Sequence, residues 1–276
     1  MCVGLIAGLT FREAARKRLL LLAMLAGFGF LALYGAGVHF QNEDLQNRHI
    51  PAQIGRQEHS ITLMMGLYSI DMLVVMMTIL TAVDTLSGEI SSGAIQAVAT
   101  KPVRRWELVT GKWLGFAGML TLYIVLMAGG IDLLTYLMTG VAARHPWTGF
   151  GLIWLEGLVL LSVTLLFGTM FSTLTNGVFA LGLHGVAFMA GWIEQAGAAT
   201  RTPRVVRLGV IVSLVMPSET LWRRAAYEMQ TPLASALDWS PFSGMSVPSP
   251  SMIAYAGAYM VAAFGLAIWR FQRRDL

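Results

Sequence analysis

The chain has 276 residues, of which 56% are hydrophobic and 12% charged, with a formal net charge of +4 and a mean hydropathy of +0.65. This is too apolar for an ordinary soluble domain and defines an integral membrane protein, for which no nucleic-acid partner is expected. The single cysteine, Cys2, cannot close an intrachain disulfide, so packing must hold the parts outside the bilayer.

At the start, Arg12, Arg16, Lys17 and Arg18 precede a long apolar run with no convincing small-residue cleavage site. A retained first helix is expected there rather than a signal peptide. A spanning helix needs about 20 mostly apolar residues, because each rises about 1.5 Å through a hydrocarbon core about 30 Å thick. Six segments meet that requirement: 19–39, 61–83, 108–138, 150–172, 177–195 and 251–269. The expected fold is an all-α membrane protein, a single transmembrane domain over residues 1–276 with six spans. LGVIVSLVM, within 205–217, is too short to cross and is expected to dip into the outer leaflet or pack over the external mouth. Ser218 is expected to cap a short amphipathic helix bearing Leu221, Trp222, Ala225 and Met229. No internal repeat of the kind found in many secondary transporters is visible.

Orientation follows from the cations, which are held on the cytoplasmic side of span ends. With both termini cytoplasmic, that side receives Arg12, Arg16, Lys17, Arg18, Lys101, Arg104, Arg105, Lys112, Arg270, Arg273 and Arg274, including all three lysines. The other side receives Arg48, Arg56 and Arg144, and a long final loop brings Arg201, Arg204, Arg207, Arg223 and Arg224. Long segments cross with little regard to charge, so that loop does not reverse the assignment.

Catalytic patterns are absent: there is no HExxH, CxxC or GxSxG, and Gly111-Lys112 lacks the flanking residues of a phosphate-cradling loop. Asp132, Glu156 and Glu194 fall near the outer ends of their spans and are expected to be solvated. Asp71 and His184 fall mid-span, where an unpaired charge costs at least about 2.5–3.5 kcal/mol, so each must face a cavity or a partner. Either a hydrogen bond between helices or a functional polar lining would satisfy them. His39, His49 and His59, together with Met64, Met65, Met72, Met76 and Met77, offer imidazole and thioether ligands that suit copper. Ten-residue spacing rotates successive histidines by about 80° around a helix, and methionine is an ordinary core filler, so no metal site is expected. Gly111 with Gly115, Ala23 with Gly27 and Ala258 with Ala262 are small-residue pairs that permit close helix approach.

Between the second and third spans runs SGEISSGAIQAVATKPVRRWELVTGK. Ser91, Ser92 and Gly93 can start a short helix, and Pro102 ends it. Ala94, Ile95 and Val98 then form an apolar edge suited to another protein's groove or to the lipid surface, since so short a helix is unstable alone. The order Glu89, Gly93, Ala94, Ile95, Pro102, Val103, Arg105, Gly111, Lys112 resembles the permeases of the type 2 ABC exporter superfamily, particularly the group containing the nitrous-oxide reductase maturation permease. The basic entry TFREAARKRLL and the closing FQRRDL agree with it, whereas Ala94 stands where threonine is usual.

The resemblance implies a permease subunit of an ATP-driven exporter in the bacterial cytoplasmic (inner) membrane. It would pair with a second permease, identical or homologous, and with two ABC ATPase subunits that bind ATP and Mg; the permease itself would bind no cofactor. Glu89, Gly93, Ala94, Ile95, Gln96, Val98, Pro102 and Arg105 would form the cytoplasmic coupling helix and its approaches, and the segment before the last span would form external re-entrant helices. Arg12, Arg16, Lys17 and Arg18 would anchor an entry helix on the membrane surface, with Phe11, Ala14 and Ala15 toward lipid. The alternatives are a secondary transporter with Asp71 and His184 as a proton relay, or an intramembrane enzyme.

Overall fold

Apolar length decides the architecture. In the computed structural model, which describes residues 2–16, 18–91, 104–230 and 246–273, the described residues are helical apart from short turns, and no strand occurs among them. In chain order the helices are α1 (Cys2–Arg16), α2 (Arg18–Asn47), α3 (Ala52–Ser91), α4 (Arg105–Thr139), α5 (Pro146–Gly168), α6 (Thr173–Ala199), α7 (Pro203–Ser213), α8 (Ser218–Met229) and α9 (Pro250–Arg273). Six of these, α2 to α6 and α9, are long and apolar enough to cross a membrane. All six expected spans are present, and several helices run beyond the apolar run that marked them. The polar stretch 41–60, which separates the first two expected spans, is mostly helix: α2 continues through Asn47 and α3 restarts at Ala52. A helix satisfies its own peptide groups, so it can continue out of the hydrocarbon with polar side chains.

Helix α3 is the axis of the bundle and packs against α2, α4, α5, α6 and α8. Leu63, Leu67, Ile70, Val74, Ile79 and Leu86 run down its buried side. The hydroxyls of Thr78, Thr81, Thr85 and Ser87 donate to carbonyls one turn back on the same helix, so these polar residues are satisfied inside the bundle. Helix α5 is its closest apolar neighbour in character, with Ile153, Leu158, Val159, Leu160, Leu161 and Leu165 buried. Polar contacts also tie helices together: Tyr34 to Thr135 at 2.7 Å joins α2 to α4, and the Trp113 indole donates to Ser162 at 3.0 Å between α4 and α5.

The entry helix lies differently from expectation. Helix α1 packs on α4, where a Cβ at Gly111 would lie 2.6 Å from the Cβ of Ile6 and one at Gly115 would lie 2.8 Å from the carbonyl oxygen of Ala7. The glycine pair of the third span is thus the seat of α1 in the same chain. Ala14 is buried in the core and Phe11 packs against it, so neither faces lipid as expected; Leu5 and Leu9 are the exposed apolar residues instead. The physical reason is that a groove floored by two glycines gains more contact from α1 than a lipid surface does. Arg12 is exposed, Arg16 closes α1 and Arg18 opens α2; Lys17 lies outside the described residues. Ala258 and Ala262 are exposed, whereas Gly27 packs against Met127.

Between α6 and α9 the chain forms a bent pair: α7 and α8 meet at 113°. At 11 residues α7 cannot cross alone, as expected for this segment. It runs back along α6 in backbone contact. A Cβ on Gly209 would lie 2.8 Å from the Cα of Glu194, and one on Gly197 would lie 2.7 Å from the amide nitrogen of Val206. Gly209→Val is therefore expected to lift α7 from α6 and lower stability by roughly 1–3 kcal/mol. Gly29→Val, on an exposed face with nothing within 4 Å of the added group, is expected to be tolerated. Thermal unfolding of the two purified variants in one detergent checks this, and equal midpoints would mean that the close approach carries no weight.

Candidate functional site

Two polar constructions stand along α3, one at its C-terminal end and one about its middle. At the end leading into residues 92–103, side chains from other helices grip the main chain of α3. Lys112, buried in α4, donates to the carbonyl oxygen of Thr85 at 3.1 Å and forms an ion pair with Glu89. Asn176 of α6 donates to the carbonyl oxygens of Val83 and Thr164 at 3.0 and 3.1 Å, joining α3, α5 and α6. Thr173 donates to Asp84 at 3.1 Å and lies 3.0 Å from Ser87. On the far side of the connection, the Glu107 carboxylate accepts the Arg104 amide at 3.1 Å and orders the first turn of α4. Arg105 donates to the carbonyl oxygen of Gln272, fastening the start of α4 to the end of α9.

Of the expected coupling residues, Gly93, Ala94, Ile95, Gln96, Val98 and Pro102 lie outside the described residues. Glu89 and Arg105, which flank them, are bound to other parts of the chain and form its stem. Asn176, Thr173 and Asp84 were not singled out from the sequence. An asparagine in an apolar run is a weak signal until its acceptors, Val83 and Thr164, are known.

The second construction surrounds α8. Its apolar face is the expected one: Leu221, Trp222, Ala225 and Met229 are all buried, and Trp222 lies against Tyr68 with ring centroids 5.3 Å apart. Ser218 does not cap the helix: the N-cap position is Pro217, and the Ser218 hydroxyl lies 3.0 Å from Nδ1 of His184. A mid-span histidine offers a better partner than an amide that the helix start leaves free. His184 thus has the interhelical hydrogen bond expected of it.

Asp71 and Glu156 are fully buried side by side, within hydrogen-bonding reach of each other, with Glu219 beside them. Among the described residues no N–H or hydroxyl group reaches either oxygen of Asp71 or of Glu156, so a hydrogen bond between the two carboxyls requires that one of them carry a proton. Two of the three carboxylates expected to be solvated are therefore buried. Glu156 has no water-facing surface, and Glu194 pairs with the buried Arg223 of α8 at 2.8 Å while accepting from Ser246 at 2.6 Å. Asp132 is partly covered and accepts the Ala143 amide at 2.8 Å. The reason is shared: α7 and α8 fold over span ends that would otherwise open to water. His184 and Asp71 meet neighbouring residues of α8, Ser218 and Glu219 respectively.

The histidines outside the bundle do not converge. His39 pairs with Glu43, His49 lies in a turn against the Asn47 carbonyl, and His59 is buried. Among the described residues no three His, Cys, Asp or Glu side chains are grouped to hold a metal ion.

A helical bundle with six membrane-length helices and a bent helix pair, braced by ion pairs at both ends, defines a multi-pass membrane protein. A family model described as ABC-2 family transporter protein matches residues 5–276, and the chain belongs to that family. The match does not single out the nitrous-oxide reductase maturation group. No curated protein matches the chain. Family membership makes it the membrane component of a transporter, in the class of ABC exporter permeases.

Two outcomes test the construction around α8. Arg223→Met leaves the buried Glu194 carboxylate without its cation and is expected to cost roughly 3–5 kcal/mol, while adding Glu194→Met is expected to recover part of that loss. A thermal-unfolding double-mutant cycle reads the coupling, and strict additivity would show that the pair does not act as a unit. Asp71→Asn keeps a donor for Glu156 and is expected to remain near wild-type stability, whereas Asp71→Leu leaves Glu156 alone and should lose roughly 1–3 kcal/mol. Equal unfolding midpoints for the Asn and Leu variants would remove the contact's structural role.

Proposed function

We propose that the chain is the permease subunit of an ATP-driven exporter of the bacterial cytoplasmic membrane. It would work as one of two permeases, identical or homologous, with two ABC ATPase subunits encoded on separate chains; ATP and Mg would bind to those partners. The observation that carries this reading, beside the family, is the clamped stem of the 92–103 connection. A push on that connection meets helix ends gripped by Lys112, Glu89, Asn176 and Arg105, so it moves helices as bodies instead of flexing a loop. Helix α3 is 40 residues long, about 60 Å at 1.5 Å per residue, and it packs on α8 as well as α4. It therefore offers a rod from the ATPase-facing end, on the orientation read from the lysines, to the bent helix pair, which meets α3 about its middle at Tyr68 and Asp71. ATPase closure would be felt there as displacement of α3 against α5 and α8, where buried carboxyls and the Tyr68–Trp222 contact must repack.

The proton-relay alternative needs Asp71 and His184 to exchange protons, and their partners, Glu156 and Ser218, do not favour it. The enzyme alternative gains no support from a family of transport proteins.

The coupling role is tested at Ile95, on the apolar edge read from the sequence. Burying one aliphatic side chain is worth about 1.5–3 kcal/mol, and arginine would also bring a charge into the groove. Ile95→Arg is expected to leave membrane abundance normal while weakening co-purification of the ATPase at least tenfold and abolishing ATP-driven transport. Gly93→Val should behave alike and Gln96→Ala more mildly. Full ATPase retention by Ile95→Arg, with normal transport, would sink the reading.

A further inference from the structure

Beside the stem described above, α5 and α9 end together and leave a cleft of about 470 Å³ lined by Thr169, Met170, Trp269, Arg270 and Arg273. Two of its five lining residues are guanidinium cations, and none is an acid. Both arginines are exposed, and neither forms an ion pair with a carboxylate among the described residues. Arg273 lies over the indole of Trp269, 4.4 Å from the ring centroid, which fixes one cation at the cleft wall. The planar fork of a guanidinium matches the oxygens of a phosphate.

Position on the helix decides what kind of phosphate. Leu266, Trp269, Arg270 and Arg273 recur at three- and four-residue steps along one stripe of α9. Leu266 is 51% and Trp269 48% exposed, so the cleft continues into an uncovered apolar surface on a membrane-length helix. A free phosphate would use only the cations, whereas a phospholipid uses both the cations and the stripe. An acidic protein surface would leave the stripe unmatched. Trp269 lies one turn from the end of a membrane-length helix, and tryptophans near the ends of spanning helices meet headgroups. Basic pockets between spanning helices on the cytoplasmic side bind anionic headgroups.

We propose that the cleft between the ends of α5 and α9 binds an anionic phospholipid, with Arg270 and Arg273 on the phosphate and an acyl chain along Trp269 and Leu266. Arg105 holds the neighbouring Gln272 carbonyl, so the lipid sits against the base of the 92–103 connection. The assignment is independent of the ATPase reading, because it needs only a membrane-embedded chain.

The test offers the purified, delipidated protein in detergent an equimolar mixture of phosphatidylglycerol and phosphatidylcholine, and counts retained lipids by native mass spectrometry. The expected result is preferential retention of phosphatidylglycerol, several-fold over phosphatidylcholine. R270Q/R273Q is expected to lower that preference at least threefold and R270K/R273K to keep most of it. Arg204→Gln with Arg207→Gln, on the exposed surface of α7, should change nothing. Glycerol 3-phosphate carries the same phosphate without acyl chains and should not displace the lipid at millimolar concentration. Equal retention of the two lipids by the wild-type protein, which requires no variant to fold, overturns the proposal. So does an undiminished preference in R270Q/R273Q. Displacement by glycerol 3-phosphate would assign the cleft to soluble phosphates instead, and loss of a co-purifying ATPase with lipid preference intact would assign it to a protein contact. Either result defeats the lipid assignment.

Discussion

Inside a hydrocarbon layer a peptide group has no water to turn to, and the arrangement of this chain follows from that constraint. Long helices satisfy it within themselves. The bent pair α7–α8 cannot, because the turn between the two helices leaves carbonyls without helical partners. The structure supplies these from α9: the hydroxyl of Tyr255 donates to the carbonyl oxygen of Leu214 at 2.6 Å, and that of Tyr259 to Val215 at 2.9 Å. At the far end of the pair, the Arg144 amide donates to the carbonyl oxygen of Met229 at 3.1 Å, tying it to the start of α5. A non-spanning segment is thus held at the membrane by donors from its neighbours.

The same constraint sorts the side chains. Hydroxyls on α3 bond back to their own helix at no cost in partners, so they can be numerous. Charged groups must instead be paired across helices, and each pair then fixes a relative position: Lys112 with Glu89 for α4 on α3, and Arg223 with Glu194 for α8 on α6. Such pairs add little net stability over apolar packing but are costly to break, which suits joints that must hold register while helices shift as units. The Asp71–Glu156 contact is the odd member, since its partner is another acid, and it lies where α3 and α5 meet the first turn of α8.

What the sequence made legible was whatever depends on a residue's own chemistry and its near neighbours. Hydropathy located six spans, and the spacing of Leu221, Trp222, Ala225 and Met229 located the face of α8. What it did not reveal depends on a partner far along the chain. Ser218 looks like a helix cap until His184, 34 residues earlier, is placed beside it. Glu156 and Glu194 look solvated because they fall near span ends, and only the fold of α7 and α8 over those ends removes the water. Gly111 and Gly115 announced a close contact correctly, but a pair of glycines does not say which helix will come, and α1 took the place.

The final loop's arginines, the weak point of the charge argument for orientation, divide once the helix ends are known. Arg223 and Arg224 lie roughly 25 residues from the neighbouring span ends at Ala199 and Pro250, beyond the 15–20-residue reach over which cations bias orientation. Arg223 is spent on Glu194 and Arg224 on Glu228. Of the final loop's arginines, Arg201, Arg204 and Arg207 remain close to a span end, beside Arg48, Arg56 and Arg144 of the shorter loops on that side. The opposite end gathers Arg12, Arg104, Arg105, Lys112, Arg270 and Arg273 at or beside the ends of α1, α4 and α9. There the cations also have structural work: Lys112 and Arg105 fasten the stem, and Arg273 packs on Trp269. The charge bias that supports a cytoplasmic placement for this end therefore comes from residues that also build it, so a change that weakened the orientation signal would loosen the stem as well.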